Sequence, residues 1–538
     1  MSRGPQSLSQ FLSQPTAYEP RPARVELHET HISWVFVTDR YAWKLKKPVR
    51  FEFLDFSTPT RRREACEAEV RLNRRLTDDL YLGVLPVFEI APGQFRIGGL
   101  AETDAAKTTD AVAATTDAPR DPIDWLVWMR RLPLERGLDR LTLAGRVQPA
   151  DIARLAERLT RFYQAAAPID IAADEYRHTI DRHVRANGAE LVKLEHGLPA
   201  TVVRRIHGAQ LRWLATQGQV LIERVRAGRI IEGHGDLRPE HICLAEPIQI
   251  FDCLEFNAEF RRLDVVDELA FLAMECDALG ADWIGQQILG TYAAATGDRA
   301  PADLVAFYKS YRAAVRAKVA ALRASQLRGD DARTAHDTAQ HYVELADRYV
   351  AALGPAPLIV VRGLMGSGKS TVARALAERI GAECLSTDEV RREMFGSSDT
   401  PAEFGGGNYT DEKRRRVYEV LWSRATERLA AGLAVVLDGT FLAAEDQRRG
   451  VDVATARKLP ALVVNCTCPA DVAKQRITRR VAAGGDASEA RPELFDAQQA
   501  RDEPTPAELS AISIDTTQPP EVNLEQIVAE IGNLAPRR

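Results

Sequence analysis

The sequence lacks the features that mark metal-clustered, disulfide-bonded or membrane proteins. Its seven cysteines include no CxxC pair, so a structural zinc site has poor support. No apolar run is long enough to span a bilayer, and the polar segment 2–22 is unlike a secretory signal. We therefore expect a cytoplasmic protein with reduced cysteines and no membrane partner.

The chain also lacks an excess of charge of one sign. It carries 71 Lys and Arg residues against 76 Asp and Glu residues, for a formal net charge of −5. Nucleic-acid binders usually show a basic footprint, so this balance favours a small-molecule ligand, although a local basic patch remains compatible with it. At 538 residues, the chain is too long for one ordinary core, and we expect two or three domains.

The pattern of predicted elements divides the chain into regions. Residues 1–24 form a polar segment, and residues 25–350 read as a β-rich lobe followed by an α-rich lobe, which predicts an α+β domain. The Gly- and Pro-containing segment 351–357 reads as a linker. Over 358–538 apolar strands alternate with helices, which predicts an α/β domain with a parallel sheet.

A glycine-rich loop that cradles nucleotide phosphates is the clearest motif. Residues 363–371 fit G-x-x-x-x-G-K-[ST] between a strand candidate and a helix candidate. Backbone N–H groups and the helix dipole would face the phosphates, the lysine would reach the β- and γ-phosphates, and the serine would bind Mg²⁺. The predicted nucleotide-binding residues are Gly363, Gly366, Ser367, Gly368, Lys369, Ser370 and Thr371.

Charged residues at later strand ends and on a later helix extend this predicted site. Asp388 is a candidate general base and an equally good helix cap, and Arg391 one turn on can hold an anionic acceptor or the transferred phosphoryl group. Asp438 ends an apolar strand and either holds Mg²⁺ or anchors the acceptor. Arg476 and Arg480 share a helix face that either closes over the phosphates or is a solvated basic face.

These motifs resemble the P-loop kinases grouped with polynucleotide 5′-hydroxyl kinases, gluconate-type kinases and zeta toxins, over about residues 357–538. The resemblance implies ATP and Mg²⁺ as cofactors, Asp388 as the general base, and a lid that carries Arg476 and Arg480. That group phosphorylates sugars, nucleosides, nucleotide sugars and nucleic-acid ends. The resemblance therefore implies a hydroxyl as acceptor without naming the compound.

A second motif lies in the N-terminal region. The turn His234-Gly-Asp236 precedes a short predicted hairpin that ends at Asp252, an arrangement by which kinase-like folds place a base beside a metal ligand. It resembles the aminoglycoside and choline phosphotransferase superfamily over roughly residues 25–345. The resemblance implies that Asp236 is a catalytic base and that Asp252 binds a metal ion.

The same resemblance implies a lysine that binds ATP phosphates and a glutamate on a helix that pairs with it. Lys44 and Lys46 both qualify because they share a strand face, and Glu69 is the expected partner. Two positions depart from the family pattern. His241 stands where the family has a metal-binding asparagine, which favours Mn²⁺ over Mg²⁺, and the predicted phosphate-covering turn 28–33 lacks glycine. A retained fold without chemistry is the alternative for this lobe.

The leading hypothesis is an ATP-dependent phosphotransferase that acts on a hydroxyl of a small molecule and has two ATP-binding modules. A kinase for nucleic-acid 5′-hydroxyl groups is the enzymatic alternative. A regulator that ATP switches, with a non-catalytic kinase-like lobe, is the alternative outside enzymes. The fused arrangement itself resembles bacterial proteins that join a phosphotransferase-like domain to an ATP-binding domain.

Overall fold

The structure is a computed structural model that describes residues 5–51, 54–99, 121–396, 410–483 and 492–534. The chain forms two compact units, one made of residues 1–170 with 227–300 and the other of residues 171–226 with 301–538. The polypeptide passes between the units three times, after Asp170, after Arg226 and after Ala300. The loop predicted at 101–120 lies outside the described residues.

Strands lie in both halves of the described chain, and two of them, Ile230–Glu232 and Arg262–Asp264, lie at the ends of stretches whose sequence pattern is helical. The strands are β1 Glu26–Glu29, β2 Ser33–Val37, β3 Tyr41–Lys46, β4 Arg50–Phe51, β5 Leu54–Asp55, β6 Tyr81–Ala91, β7 Gln94–Ile97, β8 Asp124–Arg130, β9 Ile230–Glu232, β10 Ile242–Cys243, β11 Gln249–Ile250, β12 Arg262–Asp264, β13 Leu358–Arg362, β14 Glu383–Ser386, β15 Val435–Asp438, β16 Ala461–Thr467 and β17 Ala511–Asp515.

The helices occupy most of the remaining described chain. They are α1 Pro5–Leu12, α2 Pro59–Asn73, α3 Leu138–Leu143, α4 Pro149–Ala165, α5 Ala173–Leu191, α6 Ala200–Gln217, α7 Gln219–Arg226, α8 Val265–Ala278, α9 Asp282–Thr296, α10 Ala302–Gln326, α11 Gly329–Arg348, α12 Lys369–Ile380, α13 Thr387–Phe395, α14 Asp411–Ala430, α15 Ala444–Thr455, α16 Ala470–Ala483, α17 Phe495–Gln499 and α18 Pro520–Leu534. None of the described helices has the length and apolarity needed to cross a membrane.

The first unit is organised around an antiparallel sheet with the order β1-β2-β3-β8-β6-β7. The polar N-terminal segment contributes to its core, because α1 buries Leu8 and Leu12 against Phe36 and Trp43 of the sheet. Helix α2 packs against β6 and β8 and carries the fully buried Glu69 toward β3. The unit is thus an antiparallel sheet with helices.

The second unit contains a parallel five-stranded sheet in the order β14-β15-β13-β16-β17, which confirms the predicted α/β arrangement of the C-terminal region. Alternate residues of β13 face opposite cores. Leu358 and Val360 pack in the cluster that includes α14, whereas Ile359 and Val361 pack in the cluster that includes α12. Because helices cover both faces of the sheet, the place where a ligand can bind is at the carboxyl ends of the strands.

Helices α5, α6, α7, α10 and α11 group with the parallel sheet in this second unit. The contact is close because Gly208 of α6 meets Gly381, which ends α12, and a side chain on either glycine would come within 2.5 Å of the other's backbone. Arg205 adds an ion pair to Asp347 and donates a hydrogen bond of 2.9 Å to the Ala431 carbonyl. A domain boundary at residues 351–357 therefore remains a prediction from the sequence.

Candidate active site

The glycines of the P-loop stand where a side chain has no room. Gly363 has φ +150°, and a Cβ atom there would lie 2.5 Å from the Cys466 carbonyl oxygen. Gly366 has φ +77°, and its Cβ would lie 2.4 Å from the Ala473 carbonyl oxygen. The sequence therefore requires glycine at both positions for the loop to turn tightly around a phosphate-sized cradle.

The loop leads directly into α12, which begins at Lys369 with Gly368 as its N-cap. The unpaired N–H groups and positive dipole end of this helix create an anion-binding position at Lys369 and Ser370. Thr371, on the same first turn, is exposed. The Ser367 hydroxyl is buried and has no hydrogen-bond partner among the described residues, as expected for a group that faces a ligand.

Asp438 lies beside this cradle because its strand pairs with the two neighbouring strands in register. Val361 of β13 and Ser386 of β14 are its direct partners. The carboxyl group is buried, and burial raises its pKa, whereas Lys369 and a hydrogen bond from Ser370 lower it. One carboxylate oxygen has no hydrogen-bond partner among the described residues.

A divalent cation suits this donor set. Mg²⁺ prefers oxygen ligands, and an unpartnered buried carboxylate oxygen next to the Ser370 hydroxyl provides them. Asp438 and Ser370 are therefore the residues that would hold Mg²⁺. A bound cation supplies positive charge that neutralises nucleotide phosphates.

The structure excludes one of the two roles considered for Asp388, that of helix cap. Ser386 is the N-cap of α13, since its hydroxyl accepts a hydrogen bond from the Asp388 backbone N–H. Asp388 is the second residue of the helix, so its proposed capping role was wrong. Its carboxylate instead pairs with the buried Arg391. Ser386, two residues before Asp388, is the direct strand partner of Asp438, so both carboxylates lie at the same edge of the sheet. Burial is the main cause of the raised pKa of Asp438, and charge repulsion from Asp388 adds to it.

The two arginines predicted on α16 differ in their surroundings. Arg476 donates hydrogen bonds of 2.9 and 2.8 Å to the hydroxyl and carbonyl of Thr516, whose hydroxyl in turn donates to the Ser367 carbonyl at 2.7 Å. Arg476 thereby adjoins the P-loop. Arg480, one turn later, is exposed.

The N-terminal candidates converge on a cluster of buried charges. Lys44 Nζ lies 2.9 Å from Glu69 and 2.6 Å from Asp252, and Lys46 Nζ lies 2.6 Å from Glu69 and also pairs with Glu255. Lys46 is fully buried, whereas Asp252, the partner of Lys44, has a side chain 41% exposed. The geometry thus distinguishes two lysines that residue spacing could not. Of the two, Lys44 is the one whose ion-pair partner, Asp252, is partly exposed to solvent.

The turn that carries Asp236 is held by a buried acid. Glu268 accepts hydrogen bonds of 2.7 Å from the backbone N–H groups of His234 and Gly235. His234 donates from Nε2 to the Phe251 carbonyl at 2.9 Å, so it links this turn to the residue that directly precedes Asp252. Burial lowers the pKa of His234 to about 4, in keeping with a neutral structural role.

His241 is oriented toward the predicted metal ligand. Its Nδ1 donates to the Asp236 carbonyl at 2.8 Å, which leaves Nε2 as the acceptor for Arg238 at 3.2 Å and 3.6 Å from Asp252. Arg238 also pairs with the Asp236 carboxylate at 3.1 Å. The Asp252 carboxylate and the His241 Nε2 atom therefore lie close together, with Lys44 paired to the first and Arg238 bonded to the second.

Several residues at these sites were not predicted. Glu255 and Glu268 pair with predicted residues, and Arg362 and Asp502 form an ion pair directly before the P-loop. Arg362 ends an otherwise apolar strand, and a charge in a buried run signals a buried partner. Asp502 lies 140 positions away and carries no such signal.

Comparison with known proteins covers both the C-terminal region and the chain as a whole. Residues 358–505 match a family model described as an AAA domain. A shikimate kinase from Xanthomonas euvesicatoria is 37% identical over 91 residues, which is 16% of this chain and 48% of the kinase. The solved structure of a sugar kinase from Janibacter is 26% identical, with a TM-score of 0.27, and the match covers 34% of this chain and 97% of that one.

A similarity over most of the length is found in mycobacteria. An uncharacterized protein of Mycobacterium tuberculosis is 33% identical over 479 residues, which is 86% of this chain and 88% of the relative. A protein of Mycobacterium bovis matches to the same extent. A match of this identity and length shows that the chain belongs to the same family as these mycobacterial proteins.

Proposed function

We propose that the protein is an ATP-dependent phosphotransferase that transfers the γ-phosphate to a hydroxyl group of a small molecule. The observation that carries this proposal is the convergence of the P-loop, Asp438 and Asp388 at the carboxyl ends of neighbouring parallel strands. The similarity of part of the chain to a shikimate kinase supports the same reaction class.

Each residue has a distinct part in the proposed reaction. Lys369 and the N–H groups at the start of α12 bind the β- and γ-phosphates, and Ser370 and Asp438 hold Mg²⁺. Asp388 accepts the proton of the acceptor hydroxyl while that oxygen attacks the γ-phosphorus, the bond from this phosphorus to the β–γ bridging oxygen breaks, and ADP leaves. Arg391 orients this carboxylate, and Arg476 adds positive charge next to the P-loop.

The test is transfer of labelled phosphate from [γ-³²P]ATP to a panel of acceptors with the full-length chain. The panel contains sugars, nucleosides, shikimate and 5′-hydroxyl oligonucleotides. We expect a labelled small-molecule product that requires Mg²⁺. Label on the oligonucleotides alone would favour a nucleic-acid kinase. ATP hydrolysis with no labelled acceptor would favour a regulator that ATP switches.

We also propose that the N-terminal cluster is a second nucleotide site, in which Lys44 binds ATP phosphates, Asp252 and His241 hold the metal ion, and Asp236 is the base. The observation in its favour is the chain of contacts from Glu69 through Lys44 to Asp252. A charge cluster built only to stabilise the fold would not need Asp252 at a partly exposed position.

Two single variants and their combination test this second site. We expect Lys369→Ala to leave a residual activity that Asp236→Ala removes, assayed with Mg²⁺ and with Mn²⁺, since His241 favours a cation that accepts imidazole. Complete loss of activity in Lys369→Ala with both metals would contradict a second catalytic site. The N-terminal lobe would then be a binding or regulatory module.

A further inference from the structure

We propose that a short segment at the end of α17 and just beyond it is a positioning element for the proposed phosphotransfer site. We call it the clasp, and it consists of four residues: Gln498, Asp502, Glu503 and Thr505. Its members contact the P-loop, the strand that leads into the P-loop, and the loop that follows Asp438. This inference rests on the proposed function of the C-terminal site.

The first contact of the clasp is with the P-loop itself. The Met365 backbone N–H donates a hydrogen bond of 2.6 Å to the side-chain oxygen of Gln498, which is buried. Met365 and Phe495 of α17 also pack in one apolar cluster. The outer side of the P-loop is therefore held by α17, and the inner side stays available to phosphates.

The second contact is an ion pair at the base of the P-loop. Arg362 ends β13 immediately before Gly363, is 5% exposed, and pairs with Asp502. Its other terminal nitrogen donates to Thr505 at 3.2 Å and to Asn465 of β16 at 3.3 Å. A buried guanidinium is costly unless it is paired, so Asp502 determines where Arg362 and the following glycine lie.

The third contact is with the loop that follows Asp438. The Glu503 backbone N–H donates to the Leu442 carbonyl at 2.9 Å, and the Glu503 carboxylate accepts from the Ala444 N–H at 2.7 Å. Phe441 in this loop is fully buried and has φ +42°, a strained conformation for an aromatic residue. Such strain persists only where surrounding contacts hold it: Tyr418 and Gln447 bond to the Phe441 backbone, and the clasp holds the residues that follow, Leu442 and Ala444.

The clasp therefore connects two halves of the proposed site. Arg362 and Met365 fix the phosphate cradle, and Leu442 and Ala444 fix the loop that begins at Asp438. Because adjacent residues, Asp502 and Glu503, make these two sets of contacts, the spacing between cradle and loop depends on one short segment. A misplacement of about 1 Å at such a site can cost about 100-fold in rate.

The experiment measures the binding of AMPPNP with Mg²⁺ to the full-length chain by isothermal titration calorimetry. Only the binding that is absent from the Lys369→Ala variant is assigned to the C-terminal site. We expect Asp502→Asn to weaken it about tenfold and Thr505→Val by a smaller factor, since positioning errors of this kind act through geometry. Glu508→Gln is the matched control, because Glu508 forms an exposed ion pair with Arg448 at 2.8 Å in the same segment. It should bind as the wild type does.

A double variant separates positioning from stability. In Arg362→Met/Asp502→Asn no buried charge is left unpaired, so we expect the thermal midpoint to recover while the weakened AMPPNP binding remains. Recovery of both, or wild-type binding by Asp502→Asn and Thr505→Val, would overturn the clasp alone. Absence of any Lys369-dependent binding in the wild type would overturn the clasp and the proposed function together.

Discussion

The two candidate sites of this chain are built by opposite means. The C-terminal site uses backbone geometry, with glycines at positive φ and the first turn of α12, and adds a few side chains. The N-terminal site uses side-chain charges, with Lys44 and Lys46 shared among Glu69, Asp252 and Glu255. A backbone site needs neighbouring residues, whereas a charge cluster gathers residues up to 209 positions apart. Contiguous motifs can therefore be identified from sequence more fully than dispersed ones.

The largest expected effect is at the backbone-built site. Lys369→Ala should reduce phosphate transfer about 1,000-fold, because a preorganised positive charge on the phosphates is lost. The measurement is the rate of transfer from ATP to the best acceptor of the panel. Lys474→Ala is the control, since Lys474 forms an exposed ion pair with Asp496. Transfer that survives Lys369→Ala unchanged would shift the chemistry to the N-terminal site.

Asp388→Asn should lower transfer about 100-fold while nucleotide affinity stays within about twofold, since asparagine cannot accept the acceptor's proton. The measurement pairs the transfer rate with AMPPNP binding. The helix start should be unaffected because Ser386 is its cap. Ser386→Ala is the complementary variant, and it should cost about 1 kcal/mol of stability with transfer retained. Normal transfer by Asp388→Asn would exclude it as the base.

Replacing each of the two N-terminal lysines should lower the free energy of unfolding by a different amount. Lys46→Met leaves Glu255 buried without its cation, so we expect a loss of about 3 kcal/mol in the free energy of unfolding. Lys44→Met should cost less, because Lys46 still pairs with Glu69 and the partly exposed Asp252 is hydrated. Chemical denaturation monitored by tryptophan fluorescence measures both, with Trp43 on the same strand. Equal losses would contradict the separation of roles.

The smallest expected effect concerns Asp438. Burial raises the pKa of the Asp438 carboxyl above its ordinary value of 3.8. As the pH rises from 3.8 through this raised pKa, the carboxyl ionises more readily in the unfolded chain than in the fold, and the fold loses stability. Asp438→Asn avoids this cost and should be more stable above that range by about 1 kcal/mol, with weaker binding of Mg²⁺ and nucleotide. Thermal midpoints at several pH values measure it. A midpoint that falls in the variant at high pH would contradict the assignment.

The sequence predicted more of the second unit than of the first. All five parallel strands of the C-terminal sheet were expected, because apolar runs bounded by turns are local signals. The grouping of α5, α6, α7, α10 and α11 with that sheet was not expected, since it rests on contacts such as that between Gly208 and Gly381. The two glycines are far apart in sequence. Their local sequence shows only that glycine disfavours a helix, and it does not show that they contact each other.

Local sequence was enough to predict the P-loop and the position of Asp438 at a strand end, since residue spacing sets strand faces and helix turns. The pairing of Glu69 with Lys44 and Lys46 was expected only from the family resemblance, and the structure shows both contacts. Only the tertiary structure decided that Ser386 caps α13, that Lys44 alone reaches Asp252, and that Asp502 pairs with Arg362. The cap is a local contact that depends on the backbone conformation at Ser386, where two neighbouring residues could both have served as the cap. The two ion pairs depend on burial and on which of several charged groups lies nearest, and these quantities arise only when distant segments pack together.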